Sequence, residues 1–235
     1  MSKRLDKIAS FVENGIGVAD VGTDHGYIPE MLCRRGYAGN IIGTDINEGP
    51  LNKARRSLAE AGFEDKVTLK LCDGLKGVEP DSVNTIIIAG MGGDTITGIL
   101  DRAEWCARED VRLILQPVTK PEILRYWLIN NEFAITDEVM VKENGTVYQI
   151  ICAKPGLSEK YSDAELFTGK LERISNDELF AENIALHIKR FKSAVSSLEK
   201  TERSGLEAWL GMLRNILSEL EEIEIWQRLK IYSSF

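Results

Sequence analysis

Two acids and two glycines share seven positions near the start of the chain, in the order Asp20-x-Gly22-x-Asp24-x-Gly26. A third acid, Asp45, follows one strand and one helix later. A glycine turn lets the backbone approach a ligand closely. A carboxylate at the tip of the next strand can hold the two hydroxyls of a ribose. The pairing describes a nucleoside cofactor lying across the carboxyl edge of a parallel sheet. Dinucleotide folds use G-x-G-x-x-G and set a pyrophosphate on a helix N-terminus. Here an acid opens the pattern, and Asp24 inside it would repel a pyrophosphate. Carboxylates suit a cofactor with positive charge and no phosphate, and S-adenosylmethionine, with its sulfonium and amino group, has that character. Asp20 would face the amino group, directly or through water. Alone, the segment also reads as a plain strand–turn–helix with incidental acids.

The elements that must position these groups alternate. Ile16, Val18 and Val21 mark a first strand, and Ile41-Ile42 a second that ends in Thr44-Asp45-Ile46. Residues 67–71 form a third ending in Cys72-Asp73-Gly74, where Asp73 can accept a bond from an adenine amino group. Thr85-Ile86-Ile87-Ile88 is a continuous β-branched run, the mark of a strand buried on both faces. It ends in Ala89-Gly90-Met91-Gly92-Gly93, and a fifth strand over 111–115 ends in Gln116-Pro117. Strands over 133–141 and 146–153 flank Glu143-Asn144-Gly145, a hairpin signal. Helices are expected over 29–35, 50–61, 95–102 and 121–131, with Pro50 in a first turn and Gly62 after a last. The expected fold is α/β, a Rossmann-like class I SAM-dependent methyltransferase with a seven-stranded mixed sheet, rather than the symmetric dinucleotide arrangement.

On three segments the chain resembles the TrmK family of bacterial tRNA (adenine(22)-N1)-methyltransferases. They are Val18-Ala19-Asp20-Val21-Gly22-Thr23-Asp24-His25-Gly26-Tyr27-Ile28-Pro29, Ala89-Gly90-Met91-Gly92-Gly93 and Ile114-Leu115-Gln116-Pro117. The resemblance runs from Arg4-Leu5 to about Pro155, and more loosely through the tail. Val118 departs from it, standing where a polar residue is expected after Gln-Pro. The resemblance implies a Rossmann-like catalytic domain, a C-terminal helical hairpin and tRNA as substrate, none of which composition shows. Asp45 would hold the ribose, with Ile46 beside the adenine and Asp73 and Gly74 at its edge. Asp20, Gly22 and Gly26 would form the methionine pocket with Gly90 under it, and Leu5 and Ala89 complete the cofactor set. Asp24, His25, Met91 and Gln116 would face the substrate. Lys3, Arg4, Lys7, Gly92 and Gly93 are the candidate RNA contacts. N1 of adenine has an in-plane lone pair and no proton, so it can attack the methyl carbon in line with the leaving thioether. Such a site needs positioning and an acceptor for the charge that develops on the ring. No side-chain amide follows strand four, so backbone carbonyls would serve there, with Asp24 the nearest carboxylate. His25 would stack on the flipped base or cap the helix.

Composition sets bounds. The chain has 235 residues, 43% of them hydrophobic, which suits one full domain plus a smaller appendage. No apolar run approaches a membrane span of about 18 to 20 residues, and no apolar stretch follows Lys3, Arg4 and Lys7, so no signal peptide is expected. Cys33, Cys72, Cys106 and Cys152 lie far apart, which reads as free thiols in a reducing cytoplasm and leaves no metal-spaced cluster. The net charge of −8 is spread over both halves and opposes a general affinity for nucleic acid. Basic clusters at Lys3-Arg4-Lys7, Arg34-Arg35, Lys53-Arg55-Arg56 and Lys189-Arg190-Lys192 read as solvated helix faces or as RNA contacts, the first lying closest to the cofactor edge. A methyltransferase domain is expected over 1–156 and a helical coiled-coil domain over 157–235, divided at Pro155-Gly156. In the tail a short helix over 163–174 precedes a longer one capped by Asn176 or Asp177. Ile184, Ile188, Phe191, Val195 and Leu198 then repeat at heptad spacing, as do Leu206, Leu210, Leu213, Leu217 and Leu220 after a break at Ser204-Gly205. That hairpin is a packing appendage, or an arm for tRNA or a second subunit. Trp226 and Tyr232 read as core beside the seam or as base-stacking groups. The expected assembly is a monomer or weak dimer. A methyltransferase of small molecules or proteins, a SAM-binding partner protein and an NAD-dependent dehydrogenase are the competing readings, with Asp24 arguing against the last.

Overall fold

The computed structural model describes residues 2–200 and 205–232. The chain divides into two compact units after Glu159. In the first, seven strands make one mixed sheet: β1 (Gly17–Val21), β2 (Asn40–Asp45), β3 (Val67–Leu71), β4 (Thr85–Gly92), β5 (Arg112–Thr119), β6 (Phe133–Glu143) and β7 (Thr146–Pro155). Their order is β3-β2-β1-β4-β5-β7-β6, parallel through the first five, with β7 antiparallel to both its neighbours. The helix α1 (Lys3–Ser10) precedes β1, and four more connect strands: α2 (Tyr27–Arg34), α3 (Glu48–Glu60), α4 (Gly93–Asp101) and α5 (Pro121–Asn130). From β1 the chain first builds toward β3, then returns to build β4 and β5 on the other side. A crevice opens at the carboxyl ends of the strands where the order reverses in this way, here between β1 and β4.

Val18, Ile86, Ile87, Ile88, Leu113 and Leu115 lie at the sheet's centre and are wholly buried, as strands covered on both faces require. Leu51, Ala54 and Leu58, spaced three and four apart, are the buried face of α3. Asn144 and Gly145 both take positive φ (50° and 79°), which a two-residue hairpin turn demands. Arg125 of α5, 1% exposed, donates from Nε to Glu138 and from Nη2 to Gln149, each at 2.7 Å, and so joins α5 to the hairpin strands. Sequence reasoning stopped β4 at Ile88. The strand continues to Gly92 because Gly90, at φ 79°, takes up a bulge beyond which Met91 and Gly92 pair with β5 again. The helices α2 and α4 likewise begin two residues earlier than expected.

The second unit holds α6 (Asp163–Thr168), α7 (Leu171–Ile174), α8 (Phe180–Glu199) and α9 (Glu207–Tyr232). The single short helix expected over 163–174 is broken at Gly169, whose φ is 100°. Ser162 and Glu165 form a capping box on α6. The Asp177 carboxylate accepts from the Leu179 N–H at 2.9 Å just ahead of α8. Ion pairs Lys192–Glu221 (2.7 Å) and Arg214–Glu199 (2.6 Å) tie α8 to α9 in antiparallel register. Ile184, Ile188, Phe191 and Val195 are buried on α8, and Leu213, Ile216 and Leu220 on α9. Ile216 replaces the expected Leu217, since a helix of 3.6 residues per turn drifts off a strict 3.5 repeat. Trp209 and Trp226 are 51% and 41% exposed, so neither is a core residue. Ser204 and the Tyr232 side chain lie outside the described residues.

Candidate active site

The β1–α2 turn is built to bring backbone to the crevice. The N–H groups of Gly22 and Thr23 both donate to the Thr44 carbonyl, at 2.8 and 2.9 Å, pinning the turn to the end of β2. Gly22 has φ 73°, and a Cβ there would collide with the Met91 methyl. Asp24 also takes a left-handed conformation, φ 48°, which Asp tolerates better than most residues. Gly26 caps α2 and packs on α3, where its own Cβ would stand 3.2 Å from Ala54. Its positive φ and its packing on α3 both call for glycine here.

Two cavities flank this turn, of about 450 and 360 Å³, and Gly22, Ala89 and Gly90 line both. The smaller holds Asp45, Ile46, Asp73, Gly74 and Met91. Asp45 Oδ1 accepts from the Asn47 N–H at 2.9 Å, and Ile46 presents a side chain that is 65% exposed. Asp73 is paired with Lys76 (2.8 Å) and Arg102 (3.2 Å). The Lys76 hydrogen bond, with Arg102 adding to it, holds the Asp73 carboxyl below the usual carboxylate range. Gly74, at φ 62°, lies tight against Ile99, and its carbonyl accepts from Thr44 Oγ1 at 3.0 Å. Met91 lines this smaller cavity.

The larger cavity is walled by Ser2, Arg4, Leu5, Asp20, Tyr27 and Glu143, with Asp24 at its edge. Burial pushes the Asp20 carboxyl up to about 7; Thr23 draws it down and Asp45 adds to the rise. Asp24 Oδ2 meets His25 Nδ1 at 2.7 Å. The His25 ring stacks on Tyr27 with centroids 5.3 Å apart and planes 9° from parallel. Arg4 turns inward, giving Nη1 to Gln116 Oε1 and laying its guanidinium 5.1 Å from the Tyr148 ring centre. Gln116 is fully buried, lines neither cavity and spends its amide on the Pro117 carbonyl at 2.9 Å, so it reaches the cavity through Arg4. Lys3 and Lys7 stay exposed, with the Lys7 ammonium 5.1 Å from the Phe11 ring centre. Gly92 and Gly93 line neither cavity. A Cβ on Gly93 would collide with the Lys120 carbonyl, so its bareness serves the close approach of the β4–α4 and β5–α5 turns. Sequence reasoning missed Tyr27 and Glu143 as cavity walls. Tyr27 directly follows the glycine turn, a signal within reach. Glu143 is brought in from 139 residues beyond Arg4 and carries no local signal.

The residues fit a cationic adenosine cofactor. A Cβ on Gly90 would meet nothing nearer than Arg4 Nη1 at 4.0 Å, so it would project into the open groove between the two cavities. Asp20 is a buried acid with no basic side chain paired to it among the described residues, a partner for an ammonium group. Asp45 and Ile46 offer a hydroxyl acceptor beside an apolar surface. No cluster of three metal-ligating side chains occurs among the described residues, and none of their helices is long and apolar enough to cross a membrane.

Residues 1–151 match the family described as Methyltransferase domain. A candidate tRNA (m1A22) methyltransferase of Streptococcus pneumoniae, solved in complex with S-adenosyl-L-methionine, superposes with a TM-score of 0.82 at 30% identity, covering 95% of this chain and 99% of that one. The chain belongs to the TrmK family. The crystal structure of the Bacillus subtilis m1A22 tRNA methyltransferase TrmK gives a TM-score of 0.85 at 26% identity, covering 95% of this chain and 98% of that one. The curated tRNA (adenine(22)-N(1))-methyltransferase of Bacillus subtilis is 34% identical over 156 residues, 66% of either chain. The sequence match with this TrmK relative thus spans about two thirds of its length, while the structural matches run nearly end to end.

Proposed function

We propose that the chain transfers a methyl group from S-adenosylmethionine to N1 of an adenine in tRNA, the adenine at position 22 by its relatives' assignment. The observation that carries this reading is the two-lobed groove waisted at Gly22 and Gly90, with adenosine-type contacts on one side and an aromatic-edged, acid-rich cavity on the other. Bound there, the cofactor supplies an electrophilic methyl carbon on a sulfonium. Asp45 would accept from the ribose hydroxyls, with Ile46 and Met91 offering apolar surface to the adenine in the same cavity. Gly74 supports its edge with Asp73, whose ties to Lys76 and Arg102 fix the carboxylate in place. Asp20 faces the ammonium. In the larger cavity Tyr27, braced by His25, offers a stacking face to a base taken out of its helix, which N1 chemistry requires because N1 lies on the pairing edge. Asp24, whose side chain is 60% exposed and paired with His25, supplies negative charge at the rim of the site where the ring becomes cationic. Lys3 and Lys7 stand at the surface nearby for phosphate contacts.

The catalytic domain is assigned to 1–156 and the helical domain to 157–235. The exposed Trp209 and Trp226 support an arm that touches tRNA. Free cysteines and a tRNA substrate support a cytoplasmic protein, acting as a monomer or weak dimer. The test is methyl transfer from labelled cofactor to unmodified tRNA, followed by nucleoside analysis, with Asp45→Ala as control. N1-methyladenosine made only by the intact enzyme is the expected result. Bound cofactor without transfer to tRNA would refute the assignment.

A further inference from the structure

Glu143 ends β6 at the hairpin turn, yet its side chain serves the first helix. Its Oε2 accepts from the Ser2 hydroxyl at 3.1 Å, and its Oε1 from the Arg4 backbone N–H at 3.4 Å. Ser2 Oγ in turn accepts from the Leu5 N–H at 3.2 Å. First-turn N–H groups have no partner within their own helix, and a carboxylate beside them is favoured by the helix dipole. So α1 is capped twice, locally by Ser2 and remotely by Glu143. The Arg4 guanidinium then spans Glu143, at 3.9 Å from its Nε, and Gln116, over the face of Tyr148. That places Nη1 4.0 Å from where a Gly90 Cβ would stand, at the waist of the groove.

We propose that Glu143 is a positioning residue, clasping the start of α1 to the hairpin turn so that Arg4 is held over Gly90 and the cavity keeps its wall of Ser2, Arg4 and Leu5. The Ser2 hydroxyl, and after it the Arg4 N–H and guanidinium, hold the Glu143 carboxyl below its usual range, against the opposing effect of burial. The clasp joins two segments remote in sequence. The inference rests on the groove being the methyl-transfer site.

The test measures cofactor affinity by calorimetry and amide hydrogen exchange along α1, both without RNA. The proteins compared are the wild type, Glu143→Ala, Glu143→Gln, Arg4→Ala and the Glu143→Ala/Arg4→Ala double variant. Loss of one charge-assisted network is expected to weaken cofactor binding about tenfold in Glu143→Ala and to speed exchange at Arg4 and Leu5. Glu143→Gln, which keeps an acceptor in the same place, recovers most of both. The double variant binds more weakly than Arg4→Ala alone, but by less than the full Glu143→Ala loss. Unchanged affinity and unchanged exchange in Glu143→Ala overturn the proposal. So do single losses that multiply in the double variant, since Glu143 would then act independently of Arg4. A protein that binds cofactor normally but leaves tRNA unmodified refutes the proposed reaction without touching this result.

Discussion

Replacing Asp20 with asparagine separates what the site costs the empty protein from what it provides to the cofactor. Asp20 is 3% exposed, and its carboxyl rises from an ordinary 3.8 to about 7, through burial first and the nearby Asp45 carboxylate as well. The folded protein therefore holds this proton more tightly than the unfolded chain does. Stability falls as pH climbs from the unfolded value toward the folded one, then levels off once the group is ionised in both states. A rise of about three units, at about 1.4 kcal/mol each, sets a ceiling near ~4 kcal/mol. An amide cannot ionise, so between about pH 5 and about pH 8.5 the Asp20→Asn protein is expected to gain about 3 kcal/mol on the wild type. Urea unfolding of both proteins at several pH values, without cofactor, measures the gap. The cofactor's ammonium demands the ionised acid, so wild-type affinity should fall about tenfold for each unit of pH below about 7. The asparagine variant should bind weakly at every pH. A stability gap that does not vary with pH, or equal cofactor affinity in the two proteins, would show that Asp20 is not the buried, unpaired acid described above.

Gly90→Ala adds a methyl group to the open waist and forces a left-handed alanine, costing about 1 to 2 kcal/mol of stability; calorimetry should show cofactor affinity reduced by at least about tenfold, beyond what that strain explains. Asp24→Asn tolerates the same backbone and loses the charge, so single-turnover assays should show methyl transfer slowed about tenfold to a hundredfold with cofactor affinity intact. Arg125→Ala strands the buried Glu138 and Gln149 and should destabilise the protein by about 3 to 5 kcal/mol in urea. Its cofactor affinity in the folded state should be unchanged, because Arg125 lines neither cavity.

Strand positions and the glycine turn were legible because each rests on local chemistry: β-branched runs at 85–88, Asn144-Gly145 between apolar stretches, an acid at the tip of β2. What escaped depends on distance. Gly90 looked like the end of a strand, since a bulge and a terminus share the same residue type, and only pairing with β5 tells them apart. At Gly26 and Gly93 the sequence does not reveal that a bare backbone also serves a neighbouring helix or turn, here Ala54 and the Lys120 carbonyl. Arg4 looked like a surface cation. Its inward turn is imposed by Gln116, Glu143 and Tyr148, all more than a hundred residues away. The tryptophans of α9 show the converse: Trp209 is 51% exposed although the seam still holds its register at Leu213, so adjacency to a heptad seam does not by itself bury a side chain.

The acids of the larger cavity bear on turnover. Arg4 answers Glu143, and a bound ammonium answers Asp20, which leaves Asp24 as the negative charge at the mouth. A neutral purine enters that field with little attraction, so its phosphates are left to the exposed Lys3 and Lys7 outside the cavity. The same purine leaves carrying a positive charge, so the wall that lowers the barrier also grips what it has made. The expected kinetics are a rapid first round followed by a slower steady state that added salt quickens as it weakens the grip, and a single rate from the first turnover onward, measured by rapid quench, would refute this.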